Sequence, residues 1–381
     1  MKILLSGVET NNKGAELMLY AILQEIERKF PNAKVYIPYK NISRKLEYVK
    51  TKVNLMYTPF SKFFYIRFLL RLFKRLHISL KFFWGFDIVR DADWFIDGSG
   101  FAFSDQFNMT DERVSMWQYK LQTLYNHKCK IIFLPQAYGP VEFPNTRKVL
   151  KLISDKANLI MPREHVSYDY LEKSGVVDMN KVKIFTDFTS LVDGSFPKKY
   201  EYLNDGICII PNMRMITKGT ISFENYINLI RDIILKVQST GKKVYLLNHE
   251  GLKDERLCYQ ISESLNSKIE VVTRLNAIET KGLISSAYLV ISSRFHGVAS
   301  ALNSCVPCLA TSWSHKYQEL YNDYKMDDCV LPLDNNTKAI ERISAYLQAD
   351  TNQKIRDSLK ERVPHIKEET RNMWNMIWNQ K

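Results

Sequence analysis

The chain has 381 residues, of which 45% are hydrophobic and 25% charged, with 14 Gly and 12 Pro. At roughly 150 residues per domain this length predicts two domains, and the composition excludes a disordered, fibrous or disulfide-stapled small protein. A formal net charge of +13 at pH 7 favours an anionic partner, which is a phosphorylated metabolite, a nucleic acid or a lipid surface.

Short apolar runs alternate with helix-periodic segments along the first half of the chain. Residues 3–8 predict a buried strand and residues 15–30 an amphipathic helix, which together make a βα unit. Further strands are predicted at residues 35–38, 94–97, 131–135, 159–161 and 184–186. This alternation is typical of a parallel α/β sheet.

A basic amphipathic segment interrupts this series at residues 61–86. It contains six Lys or Arg residues and no Asp or Glu, so it supplies about half of the net charge. Its cations lie near one helical face and its apolar residues near another, which is expected of a helix lying on an anionic membrane. A helix packed on its own domain, or a dimer contact, is the alternative interpretation.

A polar stretch at residues 193–205 predicts the domain boundary. Beyond it, strands are predicted at residues 207–211, 244–248, 269–272, 289–292 and 308–311. Helices are predicted at residues 223–239, 255–265, 277–286, 296–303 and 315–324. The predicted fold is therefore α/β, with two Rossmann-like, doubly wound domains (1–195 and 205–350) facing across a cleft. A helical segment at 351–381 is expected to pack back on the first domain.

The six cysteines are scattered along the chain, which favours buried thiols in a reducing compartment. Cys305 and Cys308 have a redox-type spacing, but no second ligand pair lies nearby, and no cluster of His, Cys or carboxylate residues has metal spacing. No metal is therefore required. Because no apolar run is long enough for a signal peptide or a membrane span, a cytoplasmic protein is expected.

Ligands of open parallel sheets bind at the carboxyl ends of the strands. In the first half these positions carry small or polar residues, namely Asn12, Gly14, Glu16, Gly98, Ser99, Gly100, Gln136 and Arg163. Glycine lets a ligand approach the backbone closely, which predicts substrate contacts here. Turn glycines, a capping Arg163 and a helix-dipole role for Glu16 are the structural alternatives.

The second half repeats the pattern with Asn212, His249, Arg294, His296 and Lys316. Four of these residues can carry positive charge beside apolar strands, and burying them is costly unless an anion meets them. We therefore expect an anionic ligand in the cleft between the halves. Arg294 and His296 are the strongest candidates for function.

These residues carry a resemblance to a known family. In chain order they are residues 12–16, 97–100, 134–136 with 139–140, 163–164 with 167, Asp187, His249, 293–296 with 299 and 301, and Pro307 with Lys316. Together they resemble the polysaccharide pyruvyl transferase family. The resemblance implies a fold similar to GT-B glycosyltransferases, phosphoenolpyruvate as donor and a pair of sugar hydroxyls as acceptor. It also implies that Arg163, Arg294 and His296 bind the donor and act in catalysis.

The chemistry of that reaction suggests a role for each candidate. Arg163 and Arg294 would hold the anionic groups of the donor, and His296 would give and take protons. His249 or Glu16 would be a second proton carrier, and Lys316 would add to the field around the phosphate. No cofactor beyond the co-substrate phosphoenolpyruvate is required. The acceptor would be a sugar of a bacterial polysaccharide or of its polyprenyl-pyrophosphate-linked precursor, met at the inner face of the membrane.

Two rival functions belong to other classes. A GT-B glycosyltransferase with a nucleotide-sugar donor is the alternative enzyme, because the same fold and cationic cleft would hold a pyrophosphate. A nucleic-acid-binding protein is disfavoured, since the basic residues alternate with bulky aliphatic ones and no nucleic-acid motif occurs. The sequence leaves the sugar, the hydroxyl pair and the oligomeric state open.

Overall fold

The computed structural model describes residues 1–38, 41–42, 47–56, 72, 75–76, 91–311 and 315–380. They form two compact units. Unit 1 comprises Met1–Asn11, Met18–Phe188 and Arg371–Lys381, and unit 2 comprises Asn12–Leu17 and Thr189–Thr370. The boundary expected at residues 193–205 stays a prediction. The basic segment 61–86 lies outside the described residues, apart from Leu72, Arg75 and Leu76.

Unit 1 is built on a seven-stranded parallel sheet. Its strands are β1 (Lys2–Ser6), β2 (Lys34–Pro38), β3 (Val53–Met56), β4 (Trp94–Asp97), β5 (Phe101–Phe103), β6 (Lys130–Tyr138) and β7 (Leu159–Pro162). The strand order is β3-β2-β1-β4-β6-β5, with β7 also paired to β6. The helices of this part are α1 (Lys13–Lys29), α2 (Glu47–Lys52), α3 (Asp111–Asn126), α4 (Pro144–Lys156) and α5 (His165–Ser174).

Unit 2 contains a five-stranded parallel sheet in the order β10-β9-β8-β11-β12. Its strands are β8 (Ile207–Ile210), β9 (Val244–Leu247), β10 (Glu270–Val272), β11 (Leu289–Ser292) and β12 (Cys308–Ala310). Its helices are α6 (Arg214–Thr217), α7 (Phe223–Gln238), α8 (Gly251–Glu263), α9 (Ala277–Ser285), α10 (Phe295–Asn303), α11 (His315–Asp323), α12 (Asn336–Leu347) and α13 (Ala349–Trp378). The strands β8, β9 and β11 are buried along their whole length, which explains their continuous aliphatic runs.

The last turns of α13 belong to unit 1. There the ring of Trp378 meets Phe30 and Trp94 edge-on, each with ring centroids 5.3 Å apart. Trp374 stacks on Trp378 and is fully buried. The aromatic residues near the C-terminus are therefore core residues of this unit. Among the described residues, no helix combines the length and the apolar character that crossing a bilayer requires.

All five strands predicted for the second series are present within one residue at each end. The strand predicted at residues 184–186 is wrong, although this segment runs beside β7. Lys183 donates its N–H to Ile160 and Phe185 donates to Pro162, but only Ile160 and Val182 form a bridge. The ladder stops because Pro162 has no N–H to donate in return. The first strand ends at Ser6 rather than at residue 8, since Gly7 adopts a φ of 75°.

Candidate functional site

The first loop of the chain, residues 12–16, belongs to unit 2. Asn12 begins α1, because its carbonyl accepts the N–H of Glu16 at 2.8 Å and its side chain accepts the N–H of Gly14 at 2.8 Å. Asn12 also forms an isolated antiparallel bridge with Glu250. The loop therefore lies beside the chain that leaves β9, and Asn12 serves as the helix cap that its residue type favours.

Gly14 lies against the imidazole of His296, which belongs to the first turn of α10. A Cβ atom on Gly14 would collide with Nδ1 of the ring and would stand 3.0 Å from its Cε1. The contact requires glycine at position 14, since any larger residue there would occupy the space of the ring. The first loop therefore forms one wall around His296.

The carboxylate of Glu16 is fully buried and both of its oxygens accept hydrogen bonds. Oε2 pairs with Nζ of the buried Lys13 at 2.7 Å, and Oε1 accepts the N–H of Ala277 at 2.8 Å. The second bond places a negative charge at the N-terminus of α9, where the helix dipole favours it. In this position Glu16 ties the first loop to α9.

His249 follows β9 and is buried. Burial and the nearby charges of Arg294, His296 and Lys13 hold the pKa of His249 well below its usual range, so its imidazole is neutral at physiological pH. Its Nδ1 has no hydrogen-bond partner among the described residues. His249 therefore offers a neutral ring close to Lys13 and His296, and a ligand hydroxyl could bond to it.

Arg294 stands at the N-terminus of α10, and its guanidinium meets two carboxylates. Nε donates to Oδ2 of Asp254 at 2.9 Å, Nη2 bonds to the same oxygen, and Nη1 bonds to Glu250. Two carboxylates of the protein itself therefore meet the charge of Arg294. Burial lowers the pKa of Arg294 to about 9 and raises the pKa of Asp254 to about 7. The guanidinium still carries its charge at neutral pH.

A buried hydrogen-bond network holds the backbone that carries Arg294. The side chain of Asn212, just after β8, donates to the carbonyl of Ser293 at 2.9 Å. The same carbonyl accepts from the hydroxyl of Tyr317 at 2.9 Å. Asn212 therefore connects the chain that leaves β8 to the chain that leaves β11. Lys316 lies next to Tyr317 on α11, with its Nζ 5.6 Å from the centre of the Tyr317 ring.

The remaining predicted site residues lie in unit 1. Gly98, Ser99 and Gly100 follow β4, and Arg163 follows β7. Gln136 lies inside β6, which runs on to Tyr138 instead of ending at the predicted residue 135. A Cβ on Gly98 would stand within 2.9 Å of Val8 and Ile22 side-chain atoms, so packing already explains this glycine. Ser99 packs on Gly7, and Gly100 leaves room for a Cβ 3.4 Å from the tip of Met18.

Gln136 and Arg163 are both buried and neighbour each other in this unit, since the N–H of Arg163 donates to the carbonyl of Gln136 at 3.0 Å. Neither amide atom of the Gln136 side chain has a hydrogen-bond partner among the described residues, and neither has Oδ2 of Asp97. Buried polar atoms are normally hydrogen bonded, so Gln136 and Asp97 are candidates for ligand contact.

Unit 2 thus brings together most of the predicted second-half and first-loop residues, namely Asn12, Gly14, Glu16, His249, Arg294 and His296, with Asn212 and Lys316 adjoining through Ser293 and Tyr317. The sequence interpretation gave no role to Lys13, Glu250 or Asp254. A signal existed for Glu250, because it directly follows His249 at a predicted strand end. Asp254 follows no predicted strand end and carried no such signal. No three His, Cys, Asp or Glu side chains in the described ranges are placed to hold a metal ion.

One surface groove of about 690 Å³ lies elsewhere, on α3 and α4 of unit 1. Its cationic lining residues are Arg147, Lys148 and Lys151. None of the predicted site residues lines it. The site in unit 2 is defined by its hydrogen bonds and charges rather than by this groove.

Solved structures similar to the chain include UDP-GlcNAc 2-epimerases and a protein in complex with UDP. The UDP-GlcNAc 2-epimerase from Neisseria meningitidis bound to UDP-GlcNAc is 10% identical with a TM-score of 0.59, and the match covers 99% of this chain and 100% of that chain. The Methanocaldococcus jannaschii UDP-GlcNAc 2-epimerase is 12% identical with a TM-score of 0.59 over 92% and 94% of the two chains. Anabaena HepE in complex with UDP is 11% identical with a TM-score of 0.59 over 99% and 100%. At this identity the likeness shows the fold alone, and it confirms the predicted GT-B-like α/β fold.

The comparison with curated proteins found no match. The family model described as polysaccharide pyruvyl transferase matches residues 12–315. This range begins at the cap of α1 and includes His249, Arg294 and His296. Because it covers more than half of the chain, the chain belongs to the polysaccharide pyruvyl transferase family, and is thus a transferase of polysaccharide biosynthesis.

Proposed function

We propose that the protein transfers the pyruvyl group of phosphoenolpyruvate to two hydroxyls of one sugar, forming a cyclic ketal and releasing phosphate. A proton adds to the methylene carbon of the donor, and the first hydroxyl oxygen bonds to the central carbon. The C–O bond to phosphate then breaks, and the second hydroxyl closes the ring. One hydroxyl proton replaces the proton spent on the methylene carbon, and the other leaves with the phosphate.

The observation that carries this proposal is the contact of His296 with the first loop, next to Arg294 and His249. The family model spans all four parts of this arrangement. The reaction needs a proton carrier beside a receptor for an anionic donor, and imidazole next to guanidinium provides both. The site geometry and the family membership therefore support the same chemistry.

Within this proposal His296 protonates the methylene carbon and recovers a proton from the attacking hydroxyl. Arg294 binds an anionic group of the donor, and the neutral ring of His249 hydrogen-bonds an acceptor hydroxyl. Glu16 acts as an anchor for the loop rather than as a proton carrier, because Lys13 and Ala277 already occupy its two oxygens. Lys316 adds positive field for the phosphate, and Arg163 keeps the donor-binding role that the family resemblance implies.

The acceptor in this proposal is a polysaccharide sugar or its polyprenyl-pyrophosphate-linked precursor. The basic segment 61–86 would bring the enzyme to an anionic membrane on which such a precursor is built. No metal or organic cofactor takes part in any step of the proposed reaction.

The second candidate function is transfer or conversion of a nucleotide-linked sugar. It is favoured by the similar structures that are bound to UDP or UDP-GlcNAc. At 10–11% identity those ligands are not carried over to this chain by likeness alone. The residues around Arg294 offer a cationic group to a pyrophosphate as well as to phosphoenolpyruvate.

A donor comparison separates the two candidates. The purified protein is incubated with sugar acceptors and either phosphoenolpyruvate or UDP-sugars, while phosphate release and product mass are followed. We expect phosphate release and the gain of one pyruvyl group with phosphoenolpyruvate only, and loss of both signals in Arg294→Ala. Release of UDP or a changed sugar from a UDP-sugar, with no use of phosphoenolpyruvate, would establish the second candidate instead.

A further inference from the structure

Glu250 touches two arginines that differ strongly in exposure. Its Oε2 bonds to Nη1 of Arg294, whose side chain is 11% exposed, and its Oε1 lies 3.9 Å from Nη2 of Arg214, whose side chain is 65% exposed. Glu250 itself is 24% exposed, whereas Asp254 is 1% exposed. Of the two carboxylates on Arg294, Glu250 is therefore the one that can move.

Asp254 holds the opposite edge of the guanidinium. It bonds to both Nε and Nη2 of Arg294, and its other oxygen accepts the N–H of Met213 at 3.0 Å. Two elements thus fix this carboxylate in place. The other edge of the guanidinium, at Nη1, bonds to Glu250. Glu250 is also bridged to Asn12 of the first loop.

The cations around this edge already have carboxylate partners. Three cations pair with three carboxylates, namely Lys13 with Glu16, Arg294 with Asp254 and Glu250, and Arg214 with Glu250. A dianionic ligand added to this set would create uncompensated negative charge in a poorly hydrated place, which is costly. Binding becomes favourable when one carboxylate leaves Arg294 as the anion arrives.

We propose that Glu250 is an internal competitor that occupies the anion-binding edge of Arg294 and turns to Arg214 when a phosphate or carboxylate group of the substrate binds. Glu250 thus mimics the ligand in the empty site and sets how tightly the site holds anions. This inference rests on the proposed function for the identity of the anion. Glu250 therefore tunes the affinity of the site for anions and takes no part in proton transfer.

The test measures binding of phosphoenolpyruvate and of inorganic phosphate to the full chain by titration calorimetry, with kcat and KM for pyruvyl transfer. In Glu250→Gln we expect the Kd of both anions to fall about tenfold, equivalent to about 1.4 kcal/mol. We also expect KM to fall while kcat changes less than threefold. Glu263→Gln removes the same charge from the exposed far end of α8 and is expected to leave both Kd values unchanged.

Glu250→Asp keeps the charge but shortens the reach to Arg294, and its Kd should fall between those of the wild type and Glu250→Gln. If Glu250→Gln does not fold, the Kd of Glu250→Asp tests the competitor role in its place. An unchanged or higher Kd in these variants, with phosphoenolpyruvate still bound and used by the wild type, overturns the competitor role alone. Failure of the wild type and of both variants to bind phosphoenolpyruvate or phosphate overturns this inference and the proposed donor site together.

Discussion

The imidazole of His296 occupies the space where a side chain at Gly14 would begin. The two residues are 282 positions apart in the chain, yet both lie in unit 2. The contact places a candidate proton carrier against the cap of a helix whose backbone N–H groups point toward the loop. The position of His296 therefore depends on the smallest residue in the first loop.

Gly14→Ala tests this dependence. The added methyl group must push the imidazole aside, and overpacking of this kind costs about 1–3 kcal/mol. We expect the protein to remain folded while kcat for pyruvyl transfer falls at least about 100-fold, because a misplaced catalytic group loses reactivity steeply. Steady-state kinetics with a thermal melt measure both effects. Ala15→Gly, which adds no atom beside His296, should lower stability by about 1 kcal/mol and keep kcat.

Glu16→Gln distinguishes an anchor from a proton carrier. The change keeps the hydrogen-bond acceptor for Ala277 but leaves the charge of buried Lys13 facing a neutral amide. We expect the free energy of unfolding to drop by about 3 kcal/mol, since breaking a buried ion pair is strongly destabilising. Denaturant titration measures the loss. Glu25→Gln, which affects an ion pair with the exposed Arg28, should cost less than about 1 kcal/mol.

The single variant Lys13→Met and the double variant Lys13→Met/Glu16→Gln complete a double-mutant cycle with Glu16→Gln. The double variant should lose clearly less stability than the sum of the two single losses, because each single change leaves the other residue of the ion pair without its partner. If Glu16→Gln instead abolishes turnover without any loss of stability, the anchor role is wrong and Glu16 is the second proton carrier.

His249 predicts a pH dependence of stability. Because its pKa is well below the usual value in the folded protein, the unfolded chain binds a proton near pH 6.5 that the folded chain does not bind. This group therefore stabilises the fold above pH 6.5, and its contribution is lost as the pH falls toward the lowered pKa. The expected slope below pH 6.5 is at most about 1.4 kcal/mol per pH unit.

Unfolding free energies between pH 7.5 and 5.0, from about 1 unit above that midpoint to about 1.5 units below it, show this slope directly. His249→Gln should remove that part of the slope, and His127→Gln, at an exposed histidine of unit 1, should not. Equal slopes in the wild type and in His249→Gln would mean that His249 protonates equally well in the folded protein.

The basic segment 61–86 predicts binding to anionic vesicles. Each Lys or Arg near such a surface contributes about 1 kcal/mol, so replacing four of them should reduce binding by several orders of magnitude at low salt. Co-sedimentation compares the wild type with a variant that carries Gln at Lys62, Arg67, Arg71 and Lys74. The matched control carries Gln at the exposed Lys198, Lys199, Lys253 and Lys268. Equal sedimentation of all three proteins would leave no role for the segment in membrane docking.

Elements of the fold can be predicted from the sequence where the local pattern of apolar and polar residues determines them. The strands β8, β9 and β11 are continuous aliphatic runs between polar turns, so their limits follow from the sequence. Residues 184–186 are apolar enough for a strand, but pairing depends on a donor that Pro162 lacks. The short strands β3 and β5 have four and three residues and give too little periodicity to be recognised.

The sequence indicates which residues belong to the site, but not which of them contact each other. Strand-end position indicates Arg294 and His296, since parallel strands end at one edge of a sheet. The partners of Arg294 lie 40 and 44 residues away on another element, and no local pattern encodes that contact. The sequence of the first loop likewise carries no sign that Gly14 belongs with unit 2.

A crystal structure of the wild-type protein with phosphoenolpyruvate shows directly whether Arg294 and His296 contact the donor. We expect an anionic group of the donor to be hydrogen-bonded to Arg294 and its methylene carbon to face the imidazole of His296. Phosphoenolpyruvate bound away from both side chains, in crystals that remain competent for pyruvyl transfer, would contradict this expectation.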